Sequence, residues 1–152
     1  MTPEAMRQYL AVHAPELKVI ELPVAHTTDY ISREWNVLPA QVAKTLTLRV
    51  ADDTMIVVTC GDARLDNRKV KDALGGKGRM LPGPEAAAIT GHPVGGITPL
   101  CLSTSLPVFF DVQLKRFVEV VTSGGSTHAA IRIPPDRFAK LVDAKWVDIC
   151  KE

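Results

Sequence analysis

The sequence predicts a mixed α/β fold in which a barrel-like mixed β-sheet is flanked by helices. Two observations lead to this class. Several short segments alternate between apolar and polar residues with the period of two that marks half-buried strands, and other segments collect apolar residues on one helical face. The two kinds of segment follow an order that is neither strict βαβ repetition nor a run of strands alone, so a mixed sheet with peripheral helices fits best.

Helices are predicted where a capping residue or a proline precedes an apolar face. The first helix follows Thr2, which suits the N-cap, and Pro3, which suits the first helical position. Asp66 is placed to cap a helix that runs to Leu74 and ends at Gly75-Gly76. Three further helices are predicted over 28–36, 84–90 and 135–142.

Strands are predicted over 18–22, 45–50, 55–60, 106–110, 117–122 and 129–133. The second and third of these are separated by Ala51-Asp52-Asp53-Thr54, which is typical of a hairpin connection. The segment MIVVTC at 55–60 is apolar on both faces. A strand of that kind is expected in the middle of a sheet, where both of its faces are covered.

Composition indicates an ordinary soluble globular protein. The 152 residues fit a single domain over 1–152, since domains usually have roughly 100–200 residues. The 18 basic and 17 acidic side chains nearly cancel, which argues against a dedicated nucleic-acid coat or a membrane-surface binder. No apolar run approaches the roughly 18 residues of a membrane helix. We therefore expect a cytoplasmic protein that does not associate with a membrane.

The sequence gives no reason to expect a metal or a cofactor. Three cysteines are isolated and show no CxxC spacing, and four histidines are dispersed without metal-ligand spacing. These residues are Cys60, Cys101, Cys150, His13, His26, His92 and His128. No Ser-His-Asp or Cys-His arrangement can be identified from their order. Any catalysis is expected to depend on positioning and electrostatics.

Lys44 is the first candidate site residue. In the segment AKTLTLRV it shares the strand face of Leu46 and Leu48, the face that the alternation marks for burial. A solvated lysine just before the strand is the ordinary interpretation. Alternatively, Lys44 lies at the mouth of a pocket floored by the two leucines, where its amine could bind a carbonyl, phosphate or ribose oxygen. His26, ahead of the second predicted helix, is a further residue that could line such a pocket.

Two glycine-containing loops are the other candidates. Gly95-Gly96-Ile97-Thr98-Pro99 could bring consecutive backbone N–H groups to an anion or a carbonyl, or it could be only a tight turn. The irregular stretch 91–99 is nine residues long, and loops of that length in compact domains are often functional. Ser123-Gly124-Gly125-Ser126 could supply a hydroxyl and N–H donors to the same cavity, or merely join two strands.

These segments, taken in order, resemble one family. QVAKTL at 41–46, IVVTCGDARLDNRKVKDALGGKGRML at 56–81, EAAAITGHPVGGITPL at 85–100 and the later VFFDVQL and VEVVTSGG follow the pattern of the YbaK / prolyl-tRNA synthetase editing-domain family. The correspondence extends from about residue 23 to residue 149. Its two best markers are the lysine that begins a strand and the GxxxP loop from Gly95 to Pro99.

The resemblance implies a free-standing aminoacyl-tRNA deacylase. Such an enzyme hydrolyses the ester that joins a wrong amino acid to the terminal adenosine of a tRNA, here tRNA(Pro) carrying cysteine, alanine or another small amino acid. Lys44 matches the family's substrate-contacting lysine, and the backbone N–H of Gly96 is expected to stabilise the oxyanion. Expected substrate-binding residues are Thr45, Gly95, Ile97, Thr98, Pro99, Ser123, Gly124, Gly125, His26 and Leu46. Water or a group on the substrate would attack.

The implied partners are the aminoacyl-tRNA acceptor end and prolyl-tRNA synthetase. After the second glycine loop, where the cysteine-removing branch usually has a basic pair and an acid, this chain has Ser126-Thr127-His128-Ala129-Ala130. Two alternatives stay open: a non-catalytic module that binds tRNA or a synthetase, and hydrolysis of an amino-acid ester that is not attached to tRNA.

Overall fold

The structure is a computed structural model and describes residues 3–152. Within that range there are five α-helices, eight β-strands and two 3₁₀ turns. The helices are α1 (Pro3–His13), α2 (Thr28–Glu34), α3 (Asn67–Leu74), α4 (Gly83–Thr90) and α5 (Pro135–Leu141). The strands are β1 (Ile20–Glu21), β2 (Lys44–Val50), β3 (Asp53–Thr59), β4 (Gly78–Met80), β5 (Val108–Asp111), β6 (Val120–Ser123), β7 (Ala129–Ile133) and β8 (Lys145–Val147). The 3₁₀ turns are Pro39–Gln41 and Val112–Arg116.

The strands form two sheets. A five-stranded sheet has the order β4-β2-β3-β5-β8, with antiparallel β2–β3 and parallel β3–β5 and β5–β8 pairs. A three-stranded antiparallel sheet has the order β1-β7-β6. The mixed α/β class is confirmed, and β3 lies in the centre of its sheet as its apolar sequence predicts. The sheets do not close into the expected barrel: within residues 3–152 a single parallel bridge, Val42 to Val121, joins them beside β2.

The helix ends follow the capping residues in the sequence. Asp66 accepts hydrogen bonds from the N–H groups of Arg68 and Lys69, and α3 ends at Gly75 with a φ of +88°. Thr27 caps α2 by accepting from the N–H of Tyr30. The predicted N-cap of the first helix, Thr2, lies outside the described residues.

The differences from the predicted elements have local causes. The strand expected over 117–122 is replaced by the shorter β6, which starts three residues later and ends one residue later; it follows the 3₁₀ turn Val112–Arg116, which Asp111 caps by accepting from the N–H of Gln113. Val118, within the predicted strand, is 92% exposed. The edge strands β4 and β8 were not predicted, because each has three residues and is defined by pairing with its neighbour rather than by alternation.

Two hydrophobic clusters hold the sheets and helices together. In the main cluster Phe110 of β5 and Phe138 of α5 are fully buried, and their rings meet edge to face with centroids 4.7 Å apart. The smaller cluster contains Ile31 of α2 together with Val42 and Val121 at the junction of the sheets. This second cluster fixes the start of β2 against α2, and it thereby determines where Lys44 lies.

Candidate functional site

A cleft of about 280 Å³ opens where the start of β2 meets the beginning of α2 and the two glycine loops. It is lined by His26, Thr27, Thr28, Val42, Ala43, Lys44, Thr45, Gly95, Ile97 and Ser123. The fold therefore brings together six residues that the sequence singles out in four separate segments. The other four, Thr27, Thr28, Val42 and Ala43, were not among the predicted site residues; the position of the last two directly before Lys44 was the only signal that could have found them.

Lys44 borders this cleft with its amine already held. It is the first residue of β2 and pairs with Thr59 at the end of β3. Its Nζ donates to the carbonyl oxygen of Ala63 across 2.8 Å, and the side chain is half-buried. A lysine ammonium has three donors, so two remain for a ligand. The amine is thus neither a freely solvated group nor a buried charge.

Leu46 does not form the floor of the cleft, where the pocket interpretation placed it. It packs against the main hydrophobic cluster and is absent from the cleft lining. Two residues along a strand advance about 6.6 Å, which carries Leu46 away from the cleft mouth. The apolar part of the cleft wall is formed instead by Val42, Ala43 and Ile97.

The first glycine loop is shaped by a turn at its centre. Gly95 has a φ of +86°, a conformation that favours glycine, and the N–H of Gly96 donates to the carbonyl of Pro93 across 2.9 Å. The Gly96 N–H, expected to stabilise an oxyanion, is therefore occupied by this turn. Among the described residues, the N–H of Ile97 has no hydrogen-bond partner, and Ile97 lines the cleft.

Buried hydroxyl groups tie the two glycine loops together. Ser123 donates its Oγ hydrogen to the carbonyl of Gly96 at 2.9 Å and accepts from the N–H of Gly125 at 3.2 Å. The Oγ1 atoms of Thr98 and Thr122 lie 3.2 Å apart in the fully buried interior. Hydrogen bonds of this kind between buried groups fix the relative position of the segments that carry them.

The remaining predicted site residues support the loops from behind. Thr98, Pro99, Gly124 and Gly125 are buried and absent from the cleft lining. A Cβ on Gly124 would lie 2.8 Å from the Cβ of Ala129, which leaves no room for a side chain there. These residues shape the cleft without forming its surface.

Two buried or half-buried histidines flank the glycine loops. His26 lines the cleft, its backbone N–H donates to the carbonyl of Thr127, and its Nε2 has no partner within residues 3–152. Burial lowers the pKa of the His26 imidazole below its ordinary value. His92 is 1% exposed, its Nε2 lies 2.8 Å from the carbonyl oxygen of Leu100, and burial likewise lowers its pKa.

In the described part of the chain, no group of three or more His, Cys, Asp or Glu side chains is arranged to hold a metal ion. Nor does any described helix have the length and apolar character needed to cross a membrane.

Fold and cleft together define a small α/β domain in which a lysine and a glycine loop line the same cleft. The chain belongs to the aminoacyl-tRNA editing domain family, whose model matches residues 23–141. That match includes every predicted site residue, and the family membership that the sequence motifs indicate is confirmed. The general role of this family is the editing of aminoacyl-tRNA.

Relatives of two kinds share this domain. The chain is 35% identical over 128 residues to the uncharacterized protein YwhH of Bacillus subtilis, covering 83% of this chain and 82% of that protein. It is 38% identical over 118 residues to a proline–tRNA ligase of Solidesulfovibrio magneticus, covering 76% of this chain but only 20% of the ligase. The chain therefore spans about a fifth of that synthetase.

Among solved structures, the fold is similar to the crystal structure of a candidate trans-editing enzyme for prolyl tRNA synthetase. The TM-score is 0.91 at 26% sequence identity, and the match covers 99% of this chain and 97% of the other. The agreement over almost the whole of both chains extends the fold assignment beyond the family match.

Proposed function

We propose that this protein is a free-standing trans-editing aminoacyl-tRNA deacylase, folded as a single domain over 1–152. Its substrate is a mischarged tRNA, tRNA(Pro) carrying cysteine, alanine or another small amino acid. The observation that carries the proposal is the position of Lys44, whose amine is held by the carbonyl of Ala63 at the edge of a cleft that the glycine loop also lines. A cleft of about 280 Å³ suits a small aminoacyl group attached to a ribose.

Lys44 and the loop backbone perform the electrostatic part of the reaction. The two free donors of the Lys44 amine hold an oxygen of the ester or of the ribose and phosphate next to it. The N–H of Ile97, which has no partner in the described chain, stabilises the charge that develops on the carbonyl oxygen. One such donor is worth about 3–4 kcal/mol in a serine protease. Gly96 contributes through its carbonyl and its lack of a side chain.

Hydrolysis then needs no nucleophile from the protein. A water molecule attacks the acyl carbon, the bond from that carbon to the ribose oxygen breaks, and the ribose oxygen takes one proton of the water and leaves as a hydroxyl group. The amino acid is released as its carboxylate, and the second proton of the water passes to solvent. Because an ester has a workable leaving group, positioning and charge stabilisation suffice.

The other lining residues recognise the amino acid. His26, Thr45 and Ser123 line the same cleft, and the buried Nε2 of His26 has no partner in the described chain. Five residues behind the cleft lining hold the glycine loops and β2 in place: Thr98, Pro99, Gly124, Gly125 and Leu46. The partners implied are the aminoacyl-tRNA acceptor end and prolyl-tRNA synthetase, in the cytoplasm.

Deacylation assays test this function directly. tRNA(Pro) is charged separately with alanine, cysteine, serine and proline, and release of each amino acid is followed with wild type and with Lys44→Ala. We expect at least one wrong amino acid to be released, with prolyl-tRNA spared, and Lys44→Ala to lose about 100-fold, the size of a charge-assisted hydrogen bond of roughly 3 kcal/mol. Exposed Lys77 provides the matched control, Lys77→Ala.

The outcomes separate the candidate functions. If no charged tRNA loses its amino acid faster than in buffer alone but the protein binds tRNA, the protein is a binding module. If small amino-acid esters are hydrolysed and charged tRNA is not, the substrate is a non-tRNA ester. If Lys44→Ala matches wild type, the role of Lys44 is wrong.

A further inference from the structure

A second cavity lies on the other side of the loop that holds Lys44. It has a volume of about 370 Å³. We call it the arginine pocket, after five of the residues that line it: Ala63, Arg64, Gln113, Arg116 and Lys151. Ala63 is the link to the cleft, because its carbonyl accepts the hydrogen bond from the Lys44 amine while the residue also lines the arginine pocket. The two cavities are therefore neighbours across one turn of backbone.

Hydrogen bonds between three chain segments build the frame of the arginine pocket. The N–H of Lys151 donates to the carbonyl of Arg64 at 2.8 Å. Gln113 donates its Nε2 hydrogen to the carbonyl of Lys151 at 3.1 Å, and Arg116 donates from Nε to the carbonyl of Gln113 at 3.1 Å. The loop after β3, the 3₁₀ turn after β5 and the C-terminal segment are thus fixed to one another around the cavity.

The cations of this pocket lack a carboxylate partner, whereas five of the seven other arginines in the described chain have one; Arg68 and Arg79 are the exceptions. Five other arginines each form an ion pair with a carboxylate: Arg7, Arg33, Arg49, Arg132 and Arg137. Within residues 3–152, Arg64 and Lys151 have no ion pair, and the guanidinium of Arg116 has only the Cys60 sulfur at 3.7 Å as a side-chain hydrogen-bond partner. All three side chains are exposed.

Two acidic residues also line the cavity. Asp62 is exposed on the loop, and Glu152 lies 3.9 Å from the amine of Lys69, which partly neutralises it. The three cationic side chains outnumber the two acidic side chains, one of which is already near another lysine. The guanidinium groups suit a phosphodiester in particular, because their planar fork matches its oxygen atoms.

We propose that the arginine pocket binds a phosphodiester of the single-stranded 3′ end of a tRNA whose terminal adenosine occupies the cleft. The proposal rests on the function proposed above and adds a second contact region to it. The loop at Ala63 then separates two recognition steps: Lys44 meets the acylated end, and Arg64, Arg116 and Lys151 hold the backbone that leads to it. Phosphate contacts of this kind position a nucleic acid without reading its sequence.

The test compares two substrates that differ in phosphodiesters. The first is the charged tRNA that wild type hydrolyses, and the second is the same amino acid esterified to adenosine alone. The double variant Arg64→Ala/Lys151→Ala is compared with Lys77→Ala/Arg79→Ala, which removes the same charge from exposed residues at the β4 edge. Neither pair belongs to the cleft.

We expect the arginine-pocket variant to lose about tenfold in kcat/KM on tRNA and nothing on the adenosine ester. Each phosphate contact adds about 0.7 to the salt slope of single-strand binding, so the slope of log kcat/KM against log salt should fall by up to about 1.4. Equal losses in both double variants on tRNA, or equal losses on both substrates, would overturn the proposal.

Failure of the proposed function gives a different result. If wild type hydrolyses neither substrate, the proposed deacylase function is wrong. Binding of an uncharged RNA oligonucleotide ending in CCA then tests the arginine pocket independently of that function. Weaker binding and a smaller salt slope in the Arg64→Ala/Lys151→Ala variant only would support the arginine pocket. Identical binding by wild type and both variants, or tighter binding of an acidic peptide than of the RNA, would refute it.

Discussion

Ser123 donates its hydroxyl hydrogen to the carbonyl of Gly96 across 2.9 Å, and this bond joins the two glycine loops that frame the cleft. The same oxygen accepts from the N–H of Gly125, so one buried hydroxyl satisfies groups on both loops. Replacing it leaves a buried carbonyl and a buried N–H without their partner, which is more costly than the loss of a single exposed hydrogen bond.

Ser123→Ala is accordingly expected to lower the free energy of unfolding by about 1–3 kcal/mol. Deacylation should fall as well, because the loop that presents Ile97 loses its tie. Urea denaturation measures the first effect and the tRNA assay the second. Ser32→Ala is the control, since Ser32 bonds to the Asp29 carbonyl on the exposed side of α2. Equal destabilisation by the two changes would show that the buried Ser123 hydrogen bond contributes no more to stability than the exposed Ser32 bond.

Gly96→Ala is expected to displace the glycine loop. A Cβ on Gly96 would lie 2.6 Å from the carbonyl carbon of Ser126, a backbone atom that cannot rotate away. Overpacking of this kind costs about 1–3 kcal/mol, and activity should fall further because the loop itself must shift. Gly76→Ala serves as comparison, since the nearest atom to its Cβ would be a Val50 methyl group at 3.3 Å and the nearest backbone atom, the Ala51 nitrogen, would be 3.8 Å away. Full activity in Gly96→Ala would contradict the role given to this loop.

His92 is expected to make stability depend on pH in the mildly acidic range. Burial lowers the pKa of its imidazole from 6.5, so between 6.5 and the lower folded value the unfolded chain binds more protons. The stabilisation is fully present above pH 6.5 and is lost as pH falls through that window. His26, whose pKa is lowered in the same direction, adds to the effect.

His92→Gln tests this pH dependence, because glutamine keeps an N–H donor for the Leu100 carbonyl but does not titrate. Denaturation midpoints at a series of pH values should give a flatter profile for the variant between pH 5 and 6.5. Around pH 8, where the imidazole is neutral in both the folded and the unfolded chain, the difference in denaturation midpoint between variant and wild type should not change with pH. An unchanged slope below pH 6.5 would exclude His92 as a contributor.

Thiol labelling should separate the three cysteines by burial. Cys60 and Cys150 are fully buried, and burial together with Asp111 raises the pKa of Cys150 to about 12. Cys101 is only partly buried, although burial raises its pKa too. Because the thiolate is the reactive form, an alkylating reagent at pH 8 should modify Cys101 first. Mass mapping after digestion checks the order, and early labelling of Cys150 would be inconsistent with the packing described.

The parts of the fold that the sequence predicts well are those that local chemistry determines. Asp66 caps α3 and Gly75 ends it because capping and a left-handed φ depend on neighbouring residues alone. The hairpin of β2 and β3 follows from alternation across a short polar turn. The edge strands β4 and β8 could not be predicted, because three residues carry no period and only their partners make them strands.

The same distinction applies to the site. Lys44 and the glycine loops were identifiable from unusual residues in marked positions, whereas the Ala63 carbonyl was not, because any residue offers a backbone oxygen. The turn that occupies the Gly96 N–H depends on Pro93 and Gly95 adopting one particular geometry. Sequence patterns locate side chains of special character, and they do not show which backbone groups those side chains meet.

The bond from Lys44 to Ala63 has a consequence for the entropy of ligand binding. Immobilising a lysine side chain costs up to about 2 kcal/mol in rotamer freedom. Here much of that freedom is lost when the protein folds, since the amine is already held at 2.8 Å by a backbone oxygen. A ligand that enters the cleft therefore finds the Lys44 charge already in a fixed position, and binding costs little additional side-chain entropy.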